Sequence, residues 1–178
     1  WEWDQLLTDI GENDPGYFMG SIICVNDVQM LTAGDEIIFE VVDGQQRLAT
    51  LSLLLLAIHS NLTEAKKDYE SADHEDEEEV RTCLANIRAK LIKRKKDAKA
   101  NEVGVFSAGN RKYFLRVQPS AQNYNLADYR FLLCEAGLVE NQPKQPYCGN
   151  RVLARAYYFF REKIPQDVPG LLMLMQKI

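Results

Sequence analysis

One stretch of the 178-residue chain combines residue types able to do chemistry: Asp43-Gly44-Gln45-Gln46-Arg47-Leu48-Ala49-Thr50. Gly44 permits a tight turn where a β-rich run stops and an apolar helix begins. The first amides of a helix have no internal partner and lie at the positive end of its dipole, so they cradle anions. Arg47 adds a guanidinium that grips phosphate oxygens through paired hydrogen bonds. Gln45 and Gln46 offer neutral hydrogen bonds to a base, a sugar or a water. Asp43 can hold a magnesium ion or orient Arg47, and Thr50 lies one turn beyond Arg47 on the same face. A plainer reading stays open: Asp43 caps the helix, Arg47 pairs with Asp43, and the glutamines are solvated.

These residues need an extended segment feeding a buried helix. Trp3, Leu6, Leu7 and Ile10 form one face of an opening helix stopped by Gly11. Glu12 to Gly16 is a turn cluster, and Tyr17 to Val28 reads as a strand. Thr32 to Asp35 is expected to connect to a second strand, Glu36 to Val42. The apolar run from Leu48 predicts a helix to about Ser60, buried on most sides. Residues 61–79 read as a solvated connection into a long helix over 76–97, whose apolar stripe is Val80, Cys83, Leu84, Ile87 and Leu91. A loop through Gly104 and Gly109 leads to a β-like piece, Lys112 to Val117. Helices are expected over Leu126 to Ala136, from Val152 to near Pro165, and from residue 168 onward.

The fold class is therefore α+β, a small N-terminal sheet followed by helices. The expected organisation is a core at 1–62, a charged connection and long helix at 63–100, and a helical continuation of the same domain at 101–178.

Composition narrows the classes. The net charge of −5 conceals a local net of −7 over residues 64–80 and +7 over 81–99. The basic residues Arg88, Lys90, Lys93, Arg94, Lys95, Lys96 and Lys99 could contact nucleic-acid phosphates. The simpler account is a solvated helix whose acids at 75–79 and bases at 93–99 complement its dipole. Tyr157 to Phe160 read as core rather than as a stacking platform. The longest uninterrupted apolar stretch, Leu53 to Ile58, is six residues, and Leu48 to Ile58 only eleven, which predicts no membrane span. No signal-peptide pattern opens the chain, and a cytoplasmic setting is expected. Cys24, Cys83, Cys134 and Cys148 form no C-x-x-C pair and read as reduced thiols, with Cys24 buried in a strand. His59 and His74 are isolated, so neither a zinc site nor a histidine-based nuclease centre is expected within the chain.

The Asp-Gly-Gln-Gln-Arg-Leu motif followed by Thr50 and a leucine run resembles the hallmark of a bacterial family. That family is the N-terminal domain of GmrSD-type modification-dependent restriction enzymes, with a fold likened to ParB and sulfiredoxin. Trp3 with Asp9-Ile10, Tyr17-Phe18-Met19-Gly20-Ser21-Ile22, and Asn150-Arg151-Val152 before Tyr157 to Phe160 extend the likeness. The resemblance implies nucleoside-triphosphate binding, with hydrolysis coupled to cutting foreign or modified DNA. Carried over, Asp43, Gly44, Gln45, Gln46 and Arg47 would form the nucleotide site with Thr50 adjoining. Asp43, Gln46 and Arg47 would serve any catalysis, and Asp43 would bind Mg. Ala49 stands where the family usually has a threonine, and a Pro-x-x-Gln-Arg segment normally precedes Trp3. The implied partners are a nucleoside triphosphate, DNA reached through the full-length protein or complex, and a nuclease domain or subunit. DNA cleavage is not expected from this chain alone. The alternative is a DNA-binding or scaffolding module without nucleotide turnover.

Overall fold

A leucine-rich helix at the centre organises the molecule. The computed structural model describes residues 2–16, 18–26, 37–68, 74–96, 104–120 and 122–178. In chain order these form α1 (Glu2–Glu12), β1 (Ile23–Val25), β2 (Glu40–Asp43), α2 (Gln45–Asp68) and α3 (His74–Leu91). They continue as β3 (Ile92–Lys95), β4 (Val105–Ala108), β5 (Arg111–Leu115), α4 (Asn125–Glu135), α5 (Val152–Lys163) and α6 (Val168–Lys177). The α+β class expected from the pattern is the one observed.

The leucines of α2 explain its place. Leu53, Leu54, Leu56, Ala57, Ile58 and Leu62 are buried, facing α5, α3 and α6. Each fully buried leucine contributes roughly 1.5–3 kcal/mol over its exposed state, so the helix has little choice but the centre. α5 supplies the opposing face through Leu153, Ala156, Tyr157 and Phe160, as expected for the aromatic run. The Ser60 and Tyr157 hydroxyls hydrogen-bond at 2.8 Å inside this contact.

α2 runs eight residues beyond the expected end at Ser60, correcting the solvated connection drawn from residue 61. Asn61 is the reason. Its side chain is buried, donates to the Arg161 and Pro165 carbonyls, and accepts from Arg161 Nε at 3.0 Å. Arg161 also reaches Glu64 at 2.5 Å. Contacts with α5 thus extend a helix whose local sequence looked solvated. By length and composition alone Gln45–Lys67 is long and apolar enough to cross a bilayer, and half of its most apolar 18-residue window is buried inside the protein, as in a core helix.

The basic run also departs from expectation. α3 stops at Leu91, and Ile92–Lys95 is a strand rather than the last turn of a helix reaching 97. Ile92 pairs with Leu115, Lys93 with Phe114 and Lys95 with Lys112 in an antiparallel ladder of order β3-β5-β4. The Leu91 carbonyl accepts from Arg116 N at 3.0 Å. Burying Ile92 and Leu115 together outweighs the helical preference of the lysines. α3 keeps Arg88 and Lys90 in its last turn, so part of the dipole complementarity survives. β4 falls in what read as a loop. It joins β5 through the two-residue turn Gly109-Asn110, with Gly109 at φ +57°.

The N-terminal ribbon is shorter than expected, with strands over Ile23–Val25 and Glu40–Asp43 only. Cys24 pairs with Val41 and Val25 with Glu40, after an irregularity between Ile23 and Cys24. Cys24 is exposed, not buried, because this ribbon has no helix packed over it among the described residues. All four cysteines are free thiols. The expected connection at 32–35 lies outside the described residues, as do Tyr17, Val28, Glu36 and Lys99.

Candidate functional site

The strand-to-helix turn forms where the sequence places it. β2 ends at Asp43, Gly44 turns at φ +88°, and α2 begins at Gln45. The first helical bond runs from Leu48 N to Gly44 O at 3.0 Å. A helix N-terminus has no acceptors within the helix for its first amides. Gly44 is required here by more than its dihedral. A Cβ on it would lie 3.1 Å from the Ser21 carbonyl oxygen and 3.2 Å from Ile22 Cγ1, so the turn is pressed against the 20–22 segment.

That segment positions Arg47. Gly20 sits at φ +102°, and a Cβ there would fall 1.8 Å from Arg47 Nη1. The guanidinium lies directly over the bare Gly20 backbone. Its Nη2 donates to Asp43 Oδ2 at 3.2 Å. Asp43 thus takes its hydrogen bond from Arg47, as the plainer reading allowed, while the cap position falls to Gly44. Both partners are substantially exposed, 41% for Arg47 and 62% for Asp43, and such ion pairs contribute about 0–1 kcal/mol. Arg47 can exchange Asp43 for a stronger anion at small cost.

The other motif residues divide. Gln46, Arg47 and Thr50 line a cleft of about 460 Å³ together with Leu51, Met19 and the α1 residues Glu2, Trp3, Gln5, Leu6 and Asp9. Gln45 does not join them: its side chain folds back to donate to the Val41 carbonyl at 2.6 Å. Glu2, Gln5 and Asp9 repeat at helical spacing and present one face of α1 to the cleft. α1 is seated by Trp3, whose ring lies 5.6 Å from that of Phe159, by buried Ile10, and by Lys177 donating to the Gly11 carbonyl at 2.5 Å.

Nothing in the local sequence marks the α1 wall as part of a site, and Gly20 gives only a faint signal. A glycine between Met19 and Ser21 in an otherwise β-rich run was the available signal, since glycine in a strand marks close approach of another group.

A magnesium ion fits only in one way. Among the described residues no group of three or more His, Cys, Asp or Glu gathers. Asp43 at the turn could offer one oxygen ligand, with Glu2 and Asp9 on the opposite wall of the cleft, so an ion would enter bound mainly to substrate phosphates.

A second polar cluster lies away from this cleft. Asp128 is fully buried and takes two hydrogen bonds from Arg151, through Nε and through Nη2, the latter at 2.6 Å. Arg151 Nη1 also donates to the Pro146 carbonyl at 2.7 Å, and its guanidinium stacks 5.0 Å from the Tyr124 ring. Burial and the Asp128 carboxylate push the neighbouring Cys148 thiol up to about 11, which favours the protonated thiol over the thiolate. Arg151, one residue of the family likeness, thereby has a structural role, tying α4 to the start of α5.

Comparison with curated proteins and with solved structures finds no match. The family model for the GmrSD restriction endonuclease N-terminal domain matches residues 1–176, and the chain belongs to that family.

Proposed function

We propose that this domain binds a nucleoside triphosphate, with the phosphates on the 43–47 turn. The observation that supports it most is Arg47, held over Gly20 at the tip of α2 and lining the cleft beside α1. The α2 amides and the guanidinium supply positive charge at one wall, and Trp3, Leu6, Met19 and Leu51 supply apolar surface. Ligand sites of this kind combine apolar lining with a few placed polar groups. In this reading Arg47 leaves Asp43 for a phosphate oxygen, and Asp43 is released to a magnesium ion carried by the ligand. Such an ion neutralises phosphate charge. Gln46 and Thr50 lie beside Arg47 and can orient a phosphate or a water.

Where hydrolysis occurs, Arg47 would counter charge developing on the β- or γ-phosphate, and a water would be the nucleophile. The domain belongs to a restriction-enzyme family, whose action requires DNA and a nuclease. In that setting, the nucleotide would act as a switch for cleavage carried out elsewhere in the enzyme.

Calorimetric titration with Mg-nucleoside triphosphates tests the reading. Wild-type protein is expected to bind at millimolar concentration or below, and Arg47→Ala to bind at least about tenfold more weakly, the scale of one charged hydrogen-bond pair. No binding by wild type, or equal binding by the variant, overturns it.

A DNA-binding module is the second reading, favoured by one observation. Lys93, Lys95 and Lys112 share a face of the three-stranded sheet, because Lys93 pairs with Phe114 and Lys95 with Lys112. DNA affinity that survives Arg47→Ala but collapses, with a shallower salt dependence, on neutralising Lys93 to Lys96 would favour it.

A further inference from the structure

The two walls of the cleft carry opposite charge. Arg47 is the one cation among its lining residues, and it stands on α2; the two carboxylates, Glu2 and Asp9, stand on α1. An anion alone fits the α2 wall and is repelled by the α1 wall. A ligand filling the whole cleft must therefore place its anionic part against α2 and hydrogen-bond donors against α1. In a nucleotide, the group bonded directly to the phosphates is the ribose, and its free hydroxyls are donors.

We propose that the α1 wall reads this ribose, Asp9 accepting hydrogen bonds from its hydroxyls, so that the site favours ribonucleoside over 2′-deoxyribonucleoside triphosphates. The proposal rests on the nucleotide reading above. Asp9 is the better placed of the two acids. Its Oδ1 already accepts from Gln5 Nε2 at 2.7 Å, which restrains the carboxylate, and an ionised carboxylate has acceptor sites to spare. Asp9 is half-buried, whereas Glu2 is exposed in the first turn. The backbone around Asp9 is also held, its carbonyl accepting from Asn13 N at 3.1 Å and from Asn13 Nδ2 at 2.7 Å. A carboxylate aimed at a sugar diol takes two hydroxyls at once, and loss of the 2′ hydroxyl leaves one acceptor site without its donor. The base would then lie over Trp3, Leu6, Met19 and Leu51, where apolar contact discriminates weakly among bases.

Binding of three probes separates the alternatives: inorganic tripolyphosphate, a ribonucleoside triphosphate and its 2′-deoxy counterpart, each with Mg. Wild type is expected to bind the ribonucleotide about tenfold or more tightly than the deoxynucleotide, the scale of one charge-assisted hydrogen bond. Asp9→Asn, which keeps the shape and removes the charge, is expected to shrink that ratio to about twofold or less, while tripolyphosphate affinity is not reduced and rises as the α1 wall loses a repelling charge. Gln5→Leu, a change on the exposed face of α1 that leaves Asp9 in place but unrestrained, is expected to reduce the ratio in part, and serves should Asp9→Asn fail to fold. Arg47→Ala should weaken all three probes together. A wild-type ratio near one, or a ratio that Asp9→Asn leaves intact, overturns the ribose assignment alone. Failure of wild type to bind any of the three probes overturns the nucleotide reading and this proposal with it.

Discussion

Gly20→Ala is the sharpest perturbation of the site because two separate costs can be told apart. The new methyl carbon would fall 1.8 Å from Arg47 Nη1, 2.9 Å from Cζ and 3.3 Å from Cδ. Every one of those atoms belongs to the far end of a long, half-exposed side chain, so the clash is relieved by swinging the guanidinium away. That movement costs little stability, since the Arg47–Asp43 pair it breaks contributes about 0–1 kcal/mol. The backbone cost is different: at φ +102° a residue with a Cβ is strained by about 1–3 kcal/mol. The variant should therefore remain folded, lose about 1–3 kcal/mol in chemical denaturation, and lose triphosphate binding to about the level of Arg47→Ala. Circular dichroism with urea titration reads the first effect, and calorimetry reads the second. A variant that is destabilised yet binds triphosphate like wild type would refute the claim that Gly20 positions the guanidinium. A double variant, Gly20→Ala with Arg47→Ala, should bind no worse than either single change.

Two further outcomes follow from buried polar groups. Burial, with the nearby Arg88 charge, lowers the His59 imidazole to about 4 against the opposing effect of a backbone hydrogen bond with Ala136. The unfolded chain takes up a proton below about 6.5 while the fold does not, so stability falls as pH drops from about 6.5 towards 4. The full effect is about 3 kcal/mol, and His59→Gln should flatten that part of the denaturation-against-pH profile; an unchanged slope would show that other groups set it. Removing Arg151 leaves the Asp128 carboxylate buried without its partner, and Arg151→Ala should cost about 3–5 kcal/mol. Asp128→Asn with Arg151→Met should recover part of that loss in a thermal melt, whereas a loss under about 1 kcal/mol in the single variant would mean that water reaches the acid.

Local sequence determined a good deal of this protein. The apolar spacing in α1 and α5 is periodic enough to mark each helix, and the turn at Gly44 followed by leucines sets the start of α2. Asp43 and Arg47 meet because they stand one helical turn apart, a contact that needs no distant partner. Other features depended on partners remote in the chain. Ile92 leaves a lysine-rich helix only because Leu115 offers a buried strand partner, and α2 continues past Ser60 only because α5 receives Asn61. The cleft belongs to this second group. Glu2, Gln5 and Asp9 are ordinary helix-surface residues until Trp3 docks on Phe159 and brings their face opposite Arg47. Short-range hydrogen bonds and periodic burial can be read from neighbours in sequence; which two surfaces face one another is decided by packing, whose energy depends on residues far apart in the chain.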